Sequence, residues 1–131
     1  MLRCYAFVCL TAIAGCRAGS GIVENPAEAG EVMVQMKDLL VDAGQPLQKQ
    51  AELNSFSGRY PLAVESVSKG THMLVWGKGI REGISGKAEI IAYPVDAEKN
   101  GGWVVRENAK LEKLTADDFK KEAPKKSTPK K

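Results

Sequence analysis

The sequence is poor in the side chains that most enzyme and metal sites require. It has a single histidine, His72, among 131 residues. Its three cysteines, Cys4, Cys9 and Cys16, all lie near the start of the chain. The chain beyond Cys16 therefore has no thiols for a disulfide framework, a cysteine-based metal site or a cysteine nucleophile. Since His72 has no histidine or cysteine partner there, we expect it on the solvent side or at the edge of a strand, without a catalytic role.

The glycine-rich stretch at residues 77–87 also departs from the known phosphate-binding patterns. A Walker loop would require glycine and then serine or threonine at the positions of Arg81 and Ala88. The dinucleotide-binding pattern fails because the third glycine, Gly83, comes one residue too late. We predict an inter-strand loop at this position. With no other cluster suited to catalysis, the sequence predicts a non-enzymatic protein that has no catalytic residues, metal site or cofactor.

The start of the chain has the order of an export signal. Arg3 provides a short positive region, and a largely apolar run at residues 4–13 follows it. That run is about ten residues long, well short of the ~20 that a membrane-spanning helix needs. Residues 13–16 read Ile-Ala-Gly-Cys, which resembles a bacterial lipobox. The resemblance implies that Cys16 is the lipidation site, carries fatty acyl chains such as palmitate, and becomes the mature N-terminus.

This resemblance implies a signal peptide at residues 1–15 and a spacer at residues 16–24 that tethers a domain outside the cytoplasm. Arg17 occupies the position where an aspartate favours retention at the inner membrane. The resemblance thus implies lipid anchoring at the periplasmic face of the outer membrane. Two other interpretations stay open. Cleavage after Ala14 would release a secreted soluble protein, and an uncleaved segment would be a buried part of a cytosolic domain.

Residues 25–119 are predicted to form one domain that begins with an amphipathic helix. Asn25-Pro26 suits a helix start, because asparagine caps helices and proline fits the first helical position. Apolar side chains then recur at the spacing of one helical face until Gly44, and Pro46 follows. This apolar stripe comprises Val32, Met33, Met36, Leu39, Leu40 and Ala43.

Four β-rich runs follow and predict a small antiparallel sheet, so the predicted fold class is α+β. They occupy residues 71–76, 89–95, 103–107 and 110–114. In the second run, alternation predicts Ile90 and Ala92 on one face of the sheet and the residues between and after them on the other. Asn100-Gly101 predicts a hairpin turn, and Asn108-Ala109 a tight reversal. Thr115 is predicted to cap a last helical turn that places Phe119 against the sheet.

Several of these segments resemble small bacterial envelope lipoproteins whose domain is related to type IV pilins and type II secretion pseudopilins. The resemblance implies a pilin-like α+β domain, with the amphipathic helix packed on a sheet of about four strands. The matching motifs are the helix, Leu74-Val75-Trp76-Gly77, Ile91-Ala92-Tyr93, Gly101-Gly102-Trp103-Val104-Val105 and Leu114-Thr115-Ala116-Asp117-Asp118-Phe119.

Residues 120–131 differ from the rest in charge and are predicted to form a disordered tail. They hold six lysines against one glutamate, whereas residues 16–119 hold 12 basic and 15 acidic side chains. No aromatic residue lies between these lysines, so we do not expect nucleic-acid binding. The candidate polyanion-binding residues are Lys120, Lys121, Lys125, Lys126, Lys130 and Lys131.

The leading functional interpretation is a membrane-anchored envelope lipoprotein that presents a small binding or structural domain. Its partners would be the membrane, through the lipid anchor, and an envelope protein or acidic polymer. Tyr60 is the aromatic residue most expected at a contact surface, because it lies beside Pro61 in an irregular region. The alternative is attachment to anionic lipid headgroups, lipopolysaccharide or a cell-wall polymer through the lysine-rich tail.

Overall fold

The computed structural model describes residues 22–23, 26–84 and 87–131. Cys16 and residues 1–15, on which the lipobox and signal-peptide predictions depend, lie outside the described residues. The strands are β1 (Ile22–Val23), β2 (His72–Leu74), β3 (Ile90–Pro94), β4 (Gly102–Arg106) and β5 (Leu111–Leu114). The helices are α1 (Pro26–Ala29), α2 (Glu31–Ala43), α3 (Gln50–Asn54), α4 (Pro61–Lys69), α5 (Ala97–Asn100) and α6 (Ala116–Glu122).

The sheet is antiparallel, with the strand order β1-β5-β4-β3-β2. Strands β2 to β5 correspond to the four predicted runs, and each pairs with its neighbour in the sequence. The two-residue β1 adds an edge through Ile22 opposite Lys113 and Val23 opposite Glu112. The predicted α+β class and the small antiparallel sheet are confirmed.

Apolar side chains cover both faces of this sheet. One cluster joins α2 and α4 to the sheet, and Met36, Leu39 and Val105 in it are fully buried. The second cluster lies on the opposite face, where Phe119 of α6 packs against Tyr93 with ring centroids 5.1 Å apart. A central strand buried on both sides gains stability from both layers, at roughly 25 cal/mol for each Å² of apolar surface removed from water.

The helix predicted from residue 25 onward is divided in the structure. Gly30 has a φ of +83°, which lies outside the helical region, and it separates α1 from α2. From Glu31 to Ala43 the predicted stripe is largely correct, since Met33, Met36, Leu39 and Leu40 are buried. Gly44 ends α2 as predicted, with its N–H donating to the carbonyl of Val41.

Strand β3 does not keep the predicted alternation of its side chains. Its pairing with β4 shifts register between Ile90 and Ala92, the mark of a β-bulge. Because the bulge interrupts the two-residue period, Ile91 and Ala92 both join the cluster with α2, while Ile90 and Tyr93 join the cluster with α6. The prediction that Ile90 and Ala92 share a face is wrong.

The turn predicted at residues 96–102 does connect the antiparallel strands β3 and β4, but a helical turn replaces the tight Asn100-Gly101 turn. The carbonyl of Asp96 accepts hydrogen bonds from the N–H groups of Lys99 and Asn100, which gives α5. Ala97 anchors the turn by its burial in the second cluster. Gly101 follows with a φ of +67°, and a Cβ there would collide with the Leu114 carbonyl oxygen. This close approach excludes larger residues and ends the helix before β4.

The start of the predicted disordered tail is helical in the structure, so the predicted boundary at residue 120 is wrong. Lys120 and Lys121 belong to α6, which continues to Glu122. Beyond the helix, the Lys130 backbone N–H donates to the Gln48 carbonyl over 2.6 Å, and Lys49 and Lys130 form a parallel bridge. Residues 123–131 belong to none of the named helices or strands, and the disorder expected for them stays a prediction.

The reversal between β4 and β5 places Ala109 at a φ of +65°. An L-residue in this left-handed region carries a steric cost of roughly 1–2 kcal/mol. We therefore predict that Ala109→Gly raises the free energy of unfolding by about 0.5–1 kcal/mol, after the extra entropy of unfolded glycine is subtracted. Urea denaturation at pH 7 measures the change.

Ala51 provides the matched control, since it is an exposed residue of α3. Ala51→Gly should lower the free energy of unfolding by about 0.5–1 kcal/mol. Equal destabilisation by both substitutions would contradict the strain assigned to Ala109.

Candidate functional site

A cleft of about 710 Å³ lies between the end of α6, the chain that follows it, and the connection from β2 to β3. Val75, Trp76 and Ile90 contribute apolar lining. The charged lining consists of six basic and two acidic side chains, namely Lys78, Lys87, Glu89, Arg106, Lys121, Glu122, Lys125 and Lys126. We refer to it as the basic cleft.

The basic cleft brings together three of the six lysines that the sequence marked as a polyanion site. Lys121 comes from the last turn of α6, and Lys125 and Lys126 from the segment after it. Lys120, Lys130 and Lys131 are exposed but do not line the cleft. The predicted site is therefore divided, and only its first part faces a concave surface.

Arg106 at the end of β4 organises one side of the basic cleft. Its side chain is largely buried, with 9% of its surface exposed, and it forms ion pairs with Glu112 and Glu122. The Nη2–Oε2 distance to Glu122 is 2.7 Å, and Nη1 donates to the Ala88 carbonyl over 2.8 Å. Burial alone would lower the pKa of this guanidinium, but its hydrogen bonds to the two carboxylates outweigh burial and raise the pKa.

Glu122 forms the link between this buried pair and the rim of the cleft. Its carboxylate accepts from Arg106 and also pairs with Lys87, which is exposed. Partial burial would raise the pKa of Glu122, but the hydrogen bonds from Arg106 and Lys87 have the greater combined effect and lower it. Glu122 is therefore ionised at neutral pH and fastens the end of α6 to β4.

Two further ion pairs shape the loop between β2 and β3. Lys78 pairs with Glu89, and Arg81 lies 3.7 Å from the buried carboxylate of Glu107. The Arg81 N–H also donates to the Glu107 carbonyl over 2.6 Å. A second cleft of about 380 Å³ lies along this loop and shares Lys78, Lys87 and Glu89 with the basic cleft. The two clefts thus adjoin.

The ion pairs at the basic cleft do not neutralise all of its lysines, so positive charge remains there. The carboxylates of Glu89 and Glu122 are already engaged by Lys78, Lys87 and Arg106. Lys121 lies 3.9 Å from Asp118, at the limit of an ion pair. Lys125 and Lys126 are exposed and form no ion pair with any residue that the structure describes. Such a surface attracts anions, because unpaired like charges around a concavity reinforce one another's field.

Trp76 is held in place at the wall of the same cleft. Its backbone N–H donates to the Ser127 hydroxyl over 2.7 Å, and the next N–H, of Gly77, donates to the Leu47 carbonyl over 2.8 Å. Trp76 is half-buried and packs against the cluster with α2. The aromatic wall is therefore fixed from both the domain and the C-terminal segment.

The remaining residues singled out from the sequence lie elsewhere. His72 is in the edge strand β2, as predicted, and partial burial lowers its pKa although Asp96 acts in the opposite direction. Tyr60 donates a hydrogen bond to Asp42, which raises the pKa of its hydroxyl, and Arg59 pairs with the same carboxylate. Tyr60 is half-buried by these contacts, and it is remote from the lining of the basic cleft.

The described residues contain neither a cluster of metal-ligating side chains nor a membrane-spanning helix. Within residues 22–23, 26–84 and 87–131, no three histidine, cysteine, aspartate or glutamate side chains come together in an arrangement that could hold a metal ion. In the same part of the chain, every helix is too short or too polar to cross a bilayer.

Comparison of the chain with protein-family models, with curated proteins and with solved structures gives no match. The assignment of the site therefore depends on its own geometry and charge.

Sequence reasoning missed half of the basic lining. Lys78 and Lys87 lie in the glycine-rich loop, which was interpreted only as a connection, and Arg106 lies within a predicted strand. A charged residue in an otherwise apolar strand was the available signal for Arg106, since buried arginine requires ionic partners. Nothing in the sequence places the loop lysines beside the C-terminal segment.

The lowered pKa of Glu122 predicts that docking of α6 is sensitive to acid. The stabilisation is fully present above the usual carboxyl pKa of about 4.3 and is lost as the pH falls through the lower folded value. We predict that Glu122→Gln costs about 1–3 kcal/mol of unfolding free energy at pH 7. It should also flatten the decline in stability between about pH 5 and pH 3.

Urea denaturation across this pH range measures both effects. Glu65→Gln is the matched control, because Glu65 forms an exposed i,i+4 pair with Lys69, worth only about 0.5 kcal/mol. A Glu122→Gln protein that retained the wild-type acid profile would show that this carboxylate does not fasten the helix.

Proposed function

We propose that the protein is a non-enzymatic envelope lipoprotein whose domain binds a polyanion at the basic cleft. The observation that carries the proposal is the positive charge of Lys125 and Lys126, which form no ion pair with the described residues, beside the weakly paired Lys121 on a concave surface. The lysine-rich segment and the domain would thus act together as one binding site.

The residues of the basic cleft have different tasks in this proposal. The guanidinium of Arg106 is engaged by Glu112, Glu122 and the Ala88 carbonyl, so it supports the site and does not contact the ligand. Lys121, Lys125 and Lys126 are exposed, and the ammonium groups of Lys125 and Lys126 are not engaged by any described carboxylate, so these side chains can meet phosphate or carboxylate groups. Each lysine near an anionic surface contributes about 1 kcal/mol, so affinity requires several of them together.

The envelope location rests on the start of the sequence. Residues 13–16 resemble a lipobox, and the short apolar run before them suits an export signal better than a membrane span. In this proposal, lipid on Cys16 holds the domain at the periplasmic face of the outer membrane. Stable attachment requires more than one acyl chain, which a lipobox modification supplies. The candidate ligands are then anionic headgroups, lipopolysaccharide or acidic wall polymers.

The cleft predicts which lysines matter for binding. Lys125→Gln/Lys126→Gln should weaken binding of a labelled polyanion roughly 30-fold at low salt, because about 2 kcal/mol of attraction is lost. The wild-type affinity should itself fall as salt is added. Fluorescence anisotropy of full-length protein, with labelled polyphosphate or polygalacturonate, measures both.

Lys130→Gln/Lys131→Gln removes the same charge outside the cleft and is the matched control. It should reduce affinity by only a few-fold through the weaker long-range field. Equal losses in the two double variants would mean that charge alone, and not the cleft, determines binding.

The lipid anchor is tested independently of the ligand. Mass spectrometry of the protein purified from native envelopes should show residues 1–15 removed and acyl chains on Cys16. Cys16→Ser should abolish metabolic labelling with palmitate and release the protein from the membrane fraction. An intact initiator methionine, or an unacylated terminus, would refute the anchoring proposal.

A further inference from the structure

We infer that the ligand of the basic cleft is an acidic polysaccharide, with a sugar ring against Trp76 and its acid groups at the lysines. This inference rests on the proposed polyanion-binding function and narrows it to one class of polymer. It follows from the aromatic and apolar part of the cleft, which charge alone does not explain.

The cleft offers two kinds of surface within one volume. Trp76, Val75 and Pro124 provide apolar lining beside Lys125 and Lys126. Its volume of about 710 Å³ lies within the roughly 300–1,000 Å³ that ligand sites occupy. A phosphate chain presents charged oxygens in all directions and gains nothing from an apolar wall. A pyranose ring has an apolar face of C–H groups and, in an acidic sugar, a carboxylate or phosphate at its edge.

The backbone around Trp76 is held in place in the absence of a ligand. The hydrogen bonds to Ser127 and Leu47 hold the backbone on both sides of the indole. Trp76 is half-buried, packs against the cluster with α2 and is one of the residues that line the cleft. A rigid aromatic surface binds with little loss of conformational entropy, so its apolar contact is retained as affinity.

The neighbouring cleft extends the site and favours a polymer over a single sugar. It shares Lys78, Lys87 and Glu89 with the basic cleft and adds Arg81 and Glu107, which pair with each other. A chain of several sugar units could lie across both clefts, with its acid groups at Lys125 and Lys126 and its hydroxyl groups at the ion pairs of the second cleft. By contrast, a lipid headgroup would be held at one of these points, with its acyl chains remaining in the bilayer.

The intrinsic fluorescence of the full-length protein tests this inference. The two tryptophans differ in exposure, since Trp103 is 8% exposed and buried in the core. Acrylamide quenching thus reports mainly on Trp76. Oligogalacturonate should protect the emission from quenching, whereas linear polyphosphate of equal charge should bind without protecting it. Micelles of an anionic phospholipid test a lipid headgroup as the ligand, and they should likewise leave the quenching of Trp76 unchanged.

Substitution of Trp76 gives the second measurement. Trp76→Ala should weaken oligogalacturonate binding about tenfold and leave polyphosphate binding within about twofold. Trp76→Phe keeps an aromatic face and should restore most of the lost affinity. If Trp76→Ala does not fold, the quenching experiment on the wild-type protein decides alone.

The possible results distinguish failure of the polysaccharide inference from failure of the proposed polyanion binding. If both polymers bind equally and neither protects Trp76, the polysaccharide inference is overturned while polyanion binding stands. Protection by the phospholipid micelles, with no binding of oligogalacturonate, would assign the cleft to a headgroup and also overturn the inference. If no polyanion binds at low salt, both proposals fail.

Discussion

The cleft and the C-terminal helix both depend on the ion pairs of Arg106. This side chain leaves the end of β4, crosses to Glu112 on β5, and reaches Glu122 at the last turn of α6. It also holds the Ala88 carbonyl, so one guanidinium joins two strands, a helix and a loop. Two carboxylates match the buried charge of Arg106, which offsets the cost of removing the guanidinium from water.

The helical and sheet elements could be predicted from the sequence where periodicity and packing agree. The stripe of α2, the strand beginning near Trp103 and the Thr115 cap all appear in the structure, with Thr115 Oγ1 accepting from the Asp118 N–H. The failures occur where tertiary contacts override a local signal. Asn100-Gly101 has the composition of a hairpin turn, but burial of Ala97 favours one turn of helix instead. The bulge in β3 likewise has no signature in its sequence.

Prediction of the site was limited by distance along the chain. The amino-acid composition of the C-terminal segment shows its positive charge, and the six candidate lysines were predicted from it. The partners that give those lysines a concave surface are about 30 to 50 residues away, at Lys78 and Lys87 and in the apolar lining of Val75, Trp76 and Ile90. Only the fold brings these segments together. The hydrogen bond between the Trp76 N–H and the Ser127 hydroxyl is equally long-range, and nothing in the local sequence indicates it.

The succession of β2, β3, β4 and β5 along one direction of the sheet has a kinetic consequence. Each of these strands pairs with its immediate successor, so most of the sheet assembles from contacts that are local in sequence. The basic cleft is completed differently, since residues 123–127 must return to a loop roughly 50 residues earlier. Pairing of β2 to β5 can therefore precede closure of the cleft, because the cleft needs the last segment of the chain and these strands do not.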